Sequence, residues 1–335
     1  MPRVAVVLQS GVESMKPAIS GHVPKDTVGE LGELALIERL CPRFPAGGDI
    51  LVGAGDDCAV VRPDPGSSED WVLKSDPVIS GRHFFPGADP FQIGHKAVGR
   101  VLSDLAAMGA VPRWALLNLV LSKDIPIATI DAVYDGMLTL ANRYGLAFVG
   151  GDTSQGSELA LHVFACGSVP RGTARLRSGA AVGDGVYVTG LLGGSLSGRH
   201  LTFEPRIREG CWLRDRVNAM IDISDGLASE LWHLAKASAV EIEVTTDRIP
   251  VSAEALLAGQ PLTAALYDGE DFELLFTVPG EKEEEFLPAW TERFPALPCT
   301  RIGLVRAASR EGGVWMRDRE RVELLSRGGF EHFRR

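Results

Sequence analysis

The apolar positions of this chain alternate between helical stripes and short continuous runs. Val98, Val101, Leu105 and Met108 recur at intervals of three, four and three residues, which places them on one helical face and predicts a helix over 91–109 that stops at Gly109. Leu31, Leu34, Ile37 and Leu40 predict an earlier helix, ended at Cys41-Pro42. Another helix is predicted over 130–144, with Gly145 at its end. Between these lie extended stretches. Residues 71–75 (WVLKS), 114–121, 147–149 and 159–169 read as strands, and 50–61 is a short apolar run broken by glycines and two aspartates. A Gly- and Arg-rich stretch, 170–185, interrupts the pattern. The alternation then restarts with strands over 186–189, 241–244 and 273–278, a helix starting near Asp225 and another over 254–257. The expected class is mixed, α+β to α/β, in two domains: 28–170 and 171–335, with 1–27 a poorly ordered extension containing Pro2, Gly11, Pro17, Gly21 and Pro24.

Composition narrows the function. The 335 residues include 44 acidic and 34 basic side chains, a net charge of −10, which argues against a nucleic-acid or anionic-membrane binder. No apolar run approaches the length of a membrane-spanning helix, and Val4 to Leu8 is too short for the apolar core of a secretory signal. The five cysteines, at 41, 58, 166, 211 and 299, form no C-x-x-C pair, so a zinc ribbon is excluded and a disulfide framework is not expected. The expectation is a cytoplasmic protein.

The candidate chemistry lies in the aspartates. Asp56 and Asp57 sit in GAGDDCAV, Asp76 follows WVLKS, Asp104 is in LSDLAAMGA, Asp152 is in VGGDTSQG, and Asp222 and Asp225 are in MIDISDGL. A short carboxylate at the end of an element can converge with others on a hard cation, and Mg²⁺ bridges such groups to phosphates. Sharing a site costs about 4 kcal/mol per close pair at an effective dielectric near 20, so a counter-charge is needed. One at a time, each has a plainer reading: Asp beside Gly as a turn residue, Ser224 or Asp225 as a helix cap, Asp104 paired with Arg100. Together, at so many element ends and without a Cys/His cluster, they favour metal and phosphate. The run VTGLLGGSLSG is neither a P-loop nor a dinucleotide fingerprint and reads as a loop. His83 sits between apolar residues as a hydrogen-bonded packing group, and Asp268, Glu270, Asp271 and Glu273 read as a solvated acid turn. No Ser/His/Asp or Cys/His arrangement stands out.

The segments GDDCAVV, SDPVISGRHF, KAVGRVLSDLAAMGAVPRW, VGGDT, RSGA, GDGVYVTG, MIDISDGLASEL and DGEDFELLFTVP, in this order, resemble the thiamine-monophosphate kinases, a branch of the aminoimidazole ribonucleotide synthase-like ATP-binding superfamily. The resemblance runs from about 29 to about 333. It implies an N-terminal domain whose sheet pairs with its twin in a homodimer, a C-terminal α/β domain, and transfer of the γ-phosphoryl group of ATP to thiamine monophosphate. It implies several Mg²⁺ ions held by Asp57, Ser75, Asp76, Asp104, Asp152, Asp222 and Asp225. It places ATP against Tyr134, Gly151, Asp152, Arg177 and Ser224, and the thiamine substrate against His83, Glu270 and Phe330. No catalytic base is implied, since a phosphate oxygen is already ionised. Against the family pattern, Lys74 stands where Ser or Thr is usual, Ser75 replaces Thr, Asp268 replaces Gly, and the segment between Gly198 and Pro205 is short. A paralogue acting on a different acceptor, and a non-catalytic nucleotide-binding protein, are the alternatives.

Overall fold

The computed structural model describes residues 27–308 and 313–330, so the extension expected at 1–27 lies, but for Thr27, outside the described residues. The described residues divide into a small unit within Thr27–Arg39 and a large one within Leu40–Phe330. The small unit's described part holds α1 (Val28–Leu31) and most of α2 (Glu33–Leu40). The expected single helix is two because Gly32 takes a left-handed φ of 80°. The Thr27 backbone N–H donates to the Glu30 carboxylate at 3.1 Å ahead of α1.

The large unit is built on two sheets. The first contains β1 (Ile50–Val52), β2 (Ala59–Val61), β3 (Glu69–Ile79), β4 (Val111–Leu121), β5 (Ala147–Gln155) and β6 (Ala160–Pro170), in the order β1-β2-β3-β6-β4-β5. Only β4 and β5 run parallel. Helices α3 (Pro90–Ala107) and α4 (Ile127–Tyr144) belong to this half. Asp89 caps α3 by accepting from the Phe91 N–H at 3.0 Å, and Pro90 occupies its first turn. The predicted stripe is the buried one: Val98, Val101, Leu105 and Met108 are fully inside.

Period-2 alternation splits the first sheet. Val72, Val78, Ala115, Leu117, Val163 and Ala165 are buried in the core that includes α3 and α4. The other face is open. Ser75, Phe164, Leu116 and Gly150 pair in one row across β3, β6, β4 and β5, and all four are exposed. Trp71 and Trp114 stack nearby at 5.1 Å. Strand β5, at the sheet edge, is exposed along nearly all its length.

The second sheet contains β7 (Gly185–Thr189), β8 (Ala219–Asp222), β9 (Glu241–Thr245), β10 (Leu274–Val278), β11 (Cys299–Arg306), β12 (Gly313–Asp318) and β13 (Arg321–Leu324), in the order β13-β12-β9-β11-β7-β10-β8. Both faces are covered over its central strands. Tyr187, Met220, Leu274, Phe276 and Val278 join the same core as α3, together with α5 (Ile207–Leu213) and, through Phe286 and Trp290, α9 (Glu283–Arg293). Val186, Val188, Ile221 and Leu275 face a second core with α6 (Leu227–Ser238) and α8 (Pro261–Tyr267). The short α7 (Ala253–Leu257) is capped by Ser252. Helix α3 touches elements of both halves: β3, β6 and α4 on one side, α5 and β8 on the other.

α3 and α4 meet through glycine. A Cβ on Gly94 would lie 1.9 Å from the Val133 carbonyl oxygen, and one on Gly136 would lie 1.9 Å from that of Phe91. The backbones themselves are in contact there, so no side chain can yield. Gly136→Ala gains helix propensity worth about 1 kcal/mol but must push the helices apart. We expect a net loss of about 2 kcal/mol, read as a lower urea midpoint with an unchanged far-UV spectrum.

Candidate active site

Three carboxylates converge where the two halves meet. Asp57 lies on the loop between β1 and β2, Asp104 in the last turn of α3, and Asp222 at the end of β8; their carboxylate oxygens fall within 4.8 Å of one another, and all three residues are buried. Alternation explains Asp222: it shares the side of β8 that carries Met220, which belongs to the α3 core. The Ser103 hydroxyl on α3 donates to Asp222 Oδ2 at 2.6 Å. Burial, with the Asp57 charge adding to it, pushes the Asp222 carboxyl up to about 7. Burial also raises Asp104 well above the usual range, opposed by Lys74.

Fixed cations border this cluster. Lys74 Nζ, from β3, donates to Asp104 Oδ1 at 2.6 Å. The Arg177 guanidinium donates to Asp57 Oδ1 at 2.6 and 3.1 Å, and its backbone N–H reaches the Asp56 carboxylate at 3.2 and 3.3 Å. The anticipated pairing of Asp104 with Arg100 is replaced: Arg100 bridges Asp76 at 3.3 Å and Glu270 at 3.2 Å, because Lys74 reaches Asp104 from the neighbouring strand. The other oxygen of Asp57, Oδ2, is buried and has no hydrogen-bond partner in the protein. A buried, unpartnered carboxylate oxygen beside two further carboxylates fits a divalent cation, so Asp57, Asp104 and Asp222 are the residues that would hold one.

Glu270 centres a second cluster. Its Oε2 accepts from Lys96 Nζ at 2.7 Å and lies 2.9 Å from His200 Nδ1. Lys96 is fully buried and also donates to the His83 carbonyl at 2.6 Å. Burial alone would raise the Glu270 carboxyl, but the His200 hydrogen bond and the Lys96 and Arg100 charges override it and hold it at about 2. Burial lowers Lys96 to about 8.

The 268–273 segment is not a solvated turn. Asp271 and Glu273 are buried and paired with Arg199 at 2.8 Å and Arg206 at 2.5 Å. The segment is zipped to the 223–225 loop: the Glu270 N–H donates to the Ser224 carbonyl, the Phe272 N–H to the Ile223 carbonyl, and the Ile223 N–H to the Glu273 carbonyl. Glu270 and Phe272 hold left-handed φ values of 54° and 52°, a cost of order 1 kcal/mol each. Phe272 stacks on Phe203 at 3.9 Å. The glycine loop is also committed: the N–H of Gly193 donates to Asp271 and that of Gly194 to Asp268.

The remaining candidates are distributed as follows. His83 is buried and its Nδ1 accepts from the Ile79 N–H at 3.0 Å. Gly226, not Ser224 or Asp225, stands at the head of α6, and the Asp225 N–H donates to Glu230 at 3.0 Å. The half-exposed Phe330 donates its N–H to the Asp225 carbonyl at 3.0 Å. Tyr134 is exposed on α4. Asp152 pairs with Asn118, and in that row, as in that of Ser75, side chains face the open side of the first sheet, opposite to Lys74 and Asp76. Gly151 tolerates no side chain, since a Cβ would meet the Leu117 carbonyl at 1.8 Å. Lys96, His200, Arg199 and Arg206 were not anticipated; lone basic residues at unrelated places carry no local pattern.

Two mixed domains closing on a shared carboxylate cluster define a class. Residues 55–169 match the family model "AIR synthase related protein, N-terminal domain" and 198–316 match "AIR synthase related protein, C-terminal domain". The chain is similar to the thiamine-monophosphate kinases of Escherichia coli strain K12 (37% identical, covering 90% of this chain and 98% of that protein) and Bacillus subtilis strain 168 (33%, 91% and 100%). It is also similar to the solved structure "AaThiL complexed with AMPPCP and TMP", with a TM-score of 0.78 and 30% identity over 92% of this chain and 100% of that one. The chain belongs to the thiamine-monophosphate kinase family.

The Glu270 cluster predicts a pH signature. Its carboxyl titrates near 2 rather than at the ordinary 4.5, so its contribution is present above about 4.5 and is lost as pH falls toward about 2. Glu270→Gln removes the charge that Lys96 requires. We expect a loss of about 3 kcal/mol at neutral pH, shrinking markedly by about pH 3, measured by urea denaturation of both proteins across that range.

Proposed function

We propose that the protein transfers the γ-phosphoryl group of ATP to thiamine monophosphate, giving thiamine diphosphate and ADP, with magnesium held by the carboxylate cluster. The observation that carries this reading is the unpartnered Asp57 Oδ2 beside Asp104 and Asp222. The names of the relatives supply the reaction and the substrates.

Asp57, Asp76, Asp104, Asp222 and Asp225 are assigned to metal, with Ser75 and Asp152. Tyr134, Gly151, Asp152, Arg177 and Ser224 are assigned to ATP, and His83, Glu270 and Phe330 to the acceptor. Magnesium, when bound, supplies the charge that lets two phosphates approach. The chain's own work is positional. Arg177 orients Asp57, Ser103 orients Asp222, and Arg100 ties Asp76 on the metal side to Glu270 on the acceptor side through one guanidinium. The acceptor phosphate is already ionised, so no side chain need remove a proton.

The open face of the first sheet supports a homodimer. Leu116, Phe164, Trp114 and Val149 are too many exposed apolar side chains for a solvated sheet, and β5 offers an unpaired edge. Ser75 and Asp152 lie on that face, so their assigned roles go with its pairing. Among the described residues no helix is long and apolar enough to cross a membrane, and we assign the protein to the cytoplasm.

Two measurements test the reading. With ATP, Mg²⁺ and thiamine monophosphate, the protein should form thiamine diphosphate, and Asp57→Asn should lower turnover about 100-fold or more with its fold retained. Absence of product at every Mg²⁺ concentration overturns the reaction. Light scattering should give a dimer that Phe164→Asp splits; a wild-type monomer overturns the pairing.

A further inference from the structure

Four carboxylates, Asp57, Asp76, Asp104 and Asp222, face three fixed cations, Lys74, Arg100 and Arg177, of which Arg100 is shared with Glu270. Counting Glu270, five carboxylates meet three cations, so the chain itself balances part of the cluster's charge. Lys74 is the cation on Asp104. Its ammonium lies 2.6 Å from Asp104 Oδ1, so that oxygen already carries a cation. Its side chain is 23% exposed while that of Asp104 is 8% exposed, so Lys74 is the more exposed member of the pair. It cannot swing to the other side of the sheet, because its neighbours in register, Ala165 and Ala115, are in the buried row. Asp57 Oδ2, by contrast, has no protein cation upon it.

We propose that Lys74 takes the place of one divalent ion at Asp104 Oδ1, so that the cluster keeps a metal held by Asp57, Asp222 and the other Asp104 oxygen, and the lysine ammonium performs the displaced ion's electrostatic role toward phosphate. This rests on the magnesium reading above but not on the identity of the acceptor. A fixed ammonium is a point charge with three donors and holds a phosphate without being lost by dilution, whereas a bound ion must be supplied from solution.

The test counts ions. Wild type, Lys74→Ser and Lys74→Met are each brought to equilibrium with Mn²⁺ and a non-hydrolysable ATP analogue, and free Mn²⁺ is read by electron paramagnetic resonance. Far-UV spectra establish that the variants fold; Lys74→Met keeps the apolar stem if Lys74→Ser does not. Each folded variant should bind about one more Mn²⁺ per chain than wild type, because Asp104 Oδ1 is freed. Melting temperature should become more dependent on Mn²⁺ in the variants than in wild type. Equal ion counts in wild type and variants overturn the proposal. No bound ion in any of the three overturns the magnesium reading and this proposal with it. The acceptor takes no part in the count, so a wrong acceptor assignment leaves the result readable.

Discussion

Three buried carboxylates within 4.8 Å set the terms on which this fold closes. Each pair repels by about 3 kcal/mol at an effective dielectric near 20, and Asp104 adds the unfavourable position of an acid in the last turn of a helix. Nothing apolar can offset that locally. The fold answers with cations drawn from other elements, Lys74 from β3 and Arg177 from beyond the first sheet, and with the Ser103 hydroxyl, which donates to Asp222. Arg177 reaches Asp57 and Ser103 reaches Asp222 from the opposite half of the chain, so these two contacts form only when both halves are in place. The burial of α3 against both halves makes that arrangement a property of the core rather than of loops.

The Glu270 cluster follows the same logic with the sign of the problem reversed. Lys96 is a fully buried cation, tolerable only because Glu270 stands beside it. Glu270 gets there by adopting a left-handed backbone, and the strained segment is held by bonds to the 223–225 loop and by the Phe272–Phe203 stack. That loop directly follows Asp222. The backbone pairing of β8 with β10 thus continues into the two loops and sets the distance between the Asp57, Asp104 and Asp222 carboxylates and the Glu270 cluster.

Much of this could be read from the chain. The α3 stripe, the long strands and the aspartates at element ends follow from periodicities of 3.6 and 2 and from residue type, and Asp57, Asp104 and Asp222 were singled out on that basis. Strand β8 escaped as an element because four residues, Ala219–Asp222, are too few for a period to show. The helix over 31–40 was read through Gly32, whose left-handed turn leaves little mark on the hydrophobic pattern. The acid turn at 268–273 was misread because a run of carboxylates signals solvent unless its arginines are known, and Arg199 and Arg206 lie far away in sequence. Cation placement is a tertiary property. Lys74 could be seen as unusual, but its partner Asp104 is thirty residues away on another element.

The register of β3 ties these features together. Along this strand Lys74 and Asp76 turn toward α3 and the carboxylates, while Ser75 between them turns to the open face. Its pairing with β6 runs unbroken from Glu69↔Pro170 to Ile79↔Ala160. A slip of one residue would send Lys74 and Asp76 to the open face and put Ser75 beside Asp104. The cluster would lose its ammonium and Arg100 would lose one of its two acids. The slip would also expose Val72 and Val78, which are now fully buried, so the hydrophobic core enforces the electrostatic arrangement. The same apolar side chains that make the first sheet fold therefore decide which charge meets Asp104, and a substitution at the core of β3 should be felt at the carboxylate cluster without touching it.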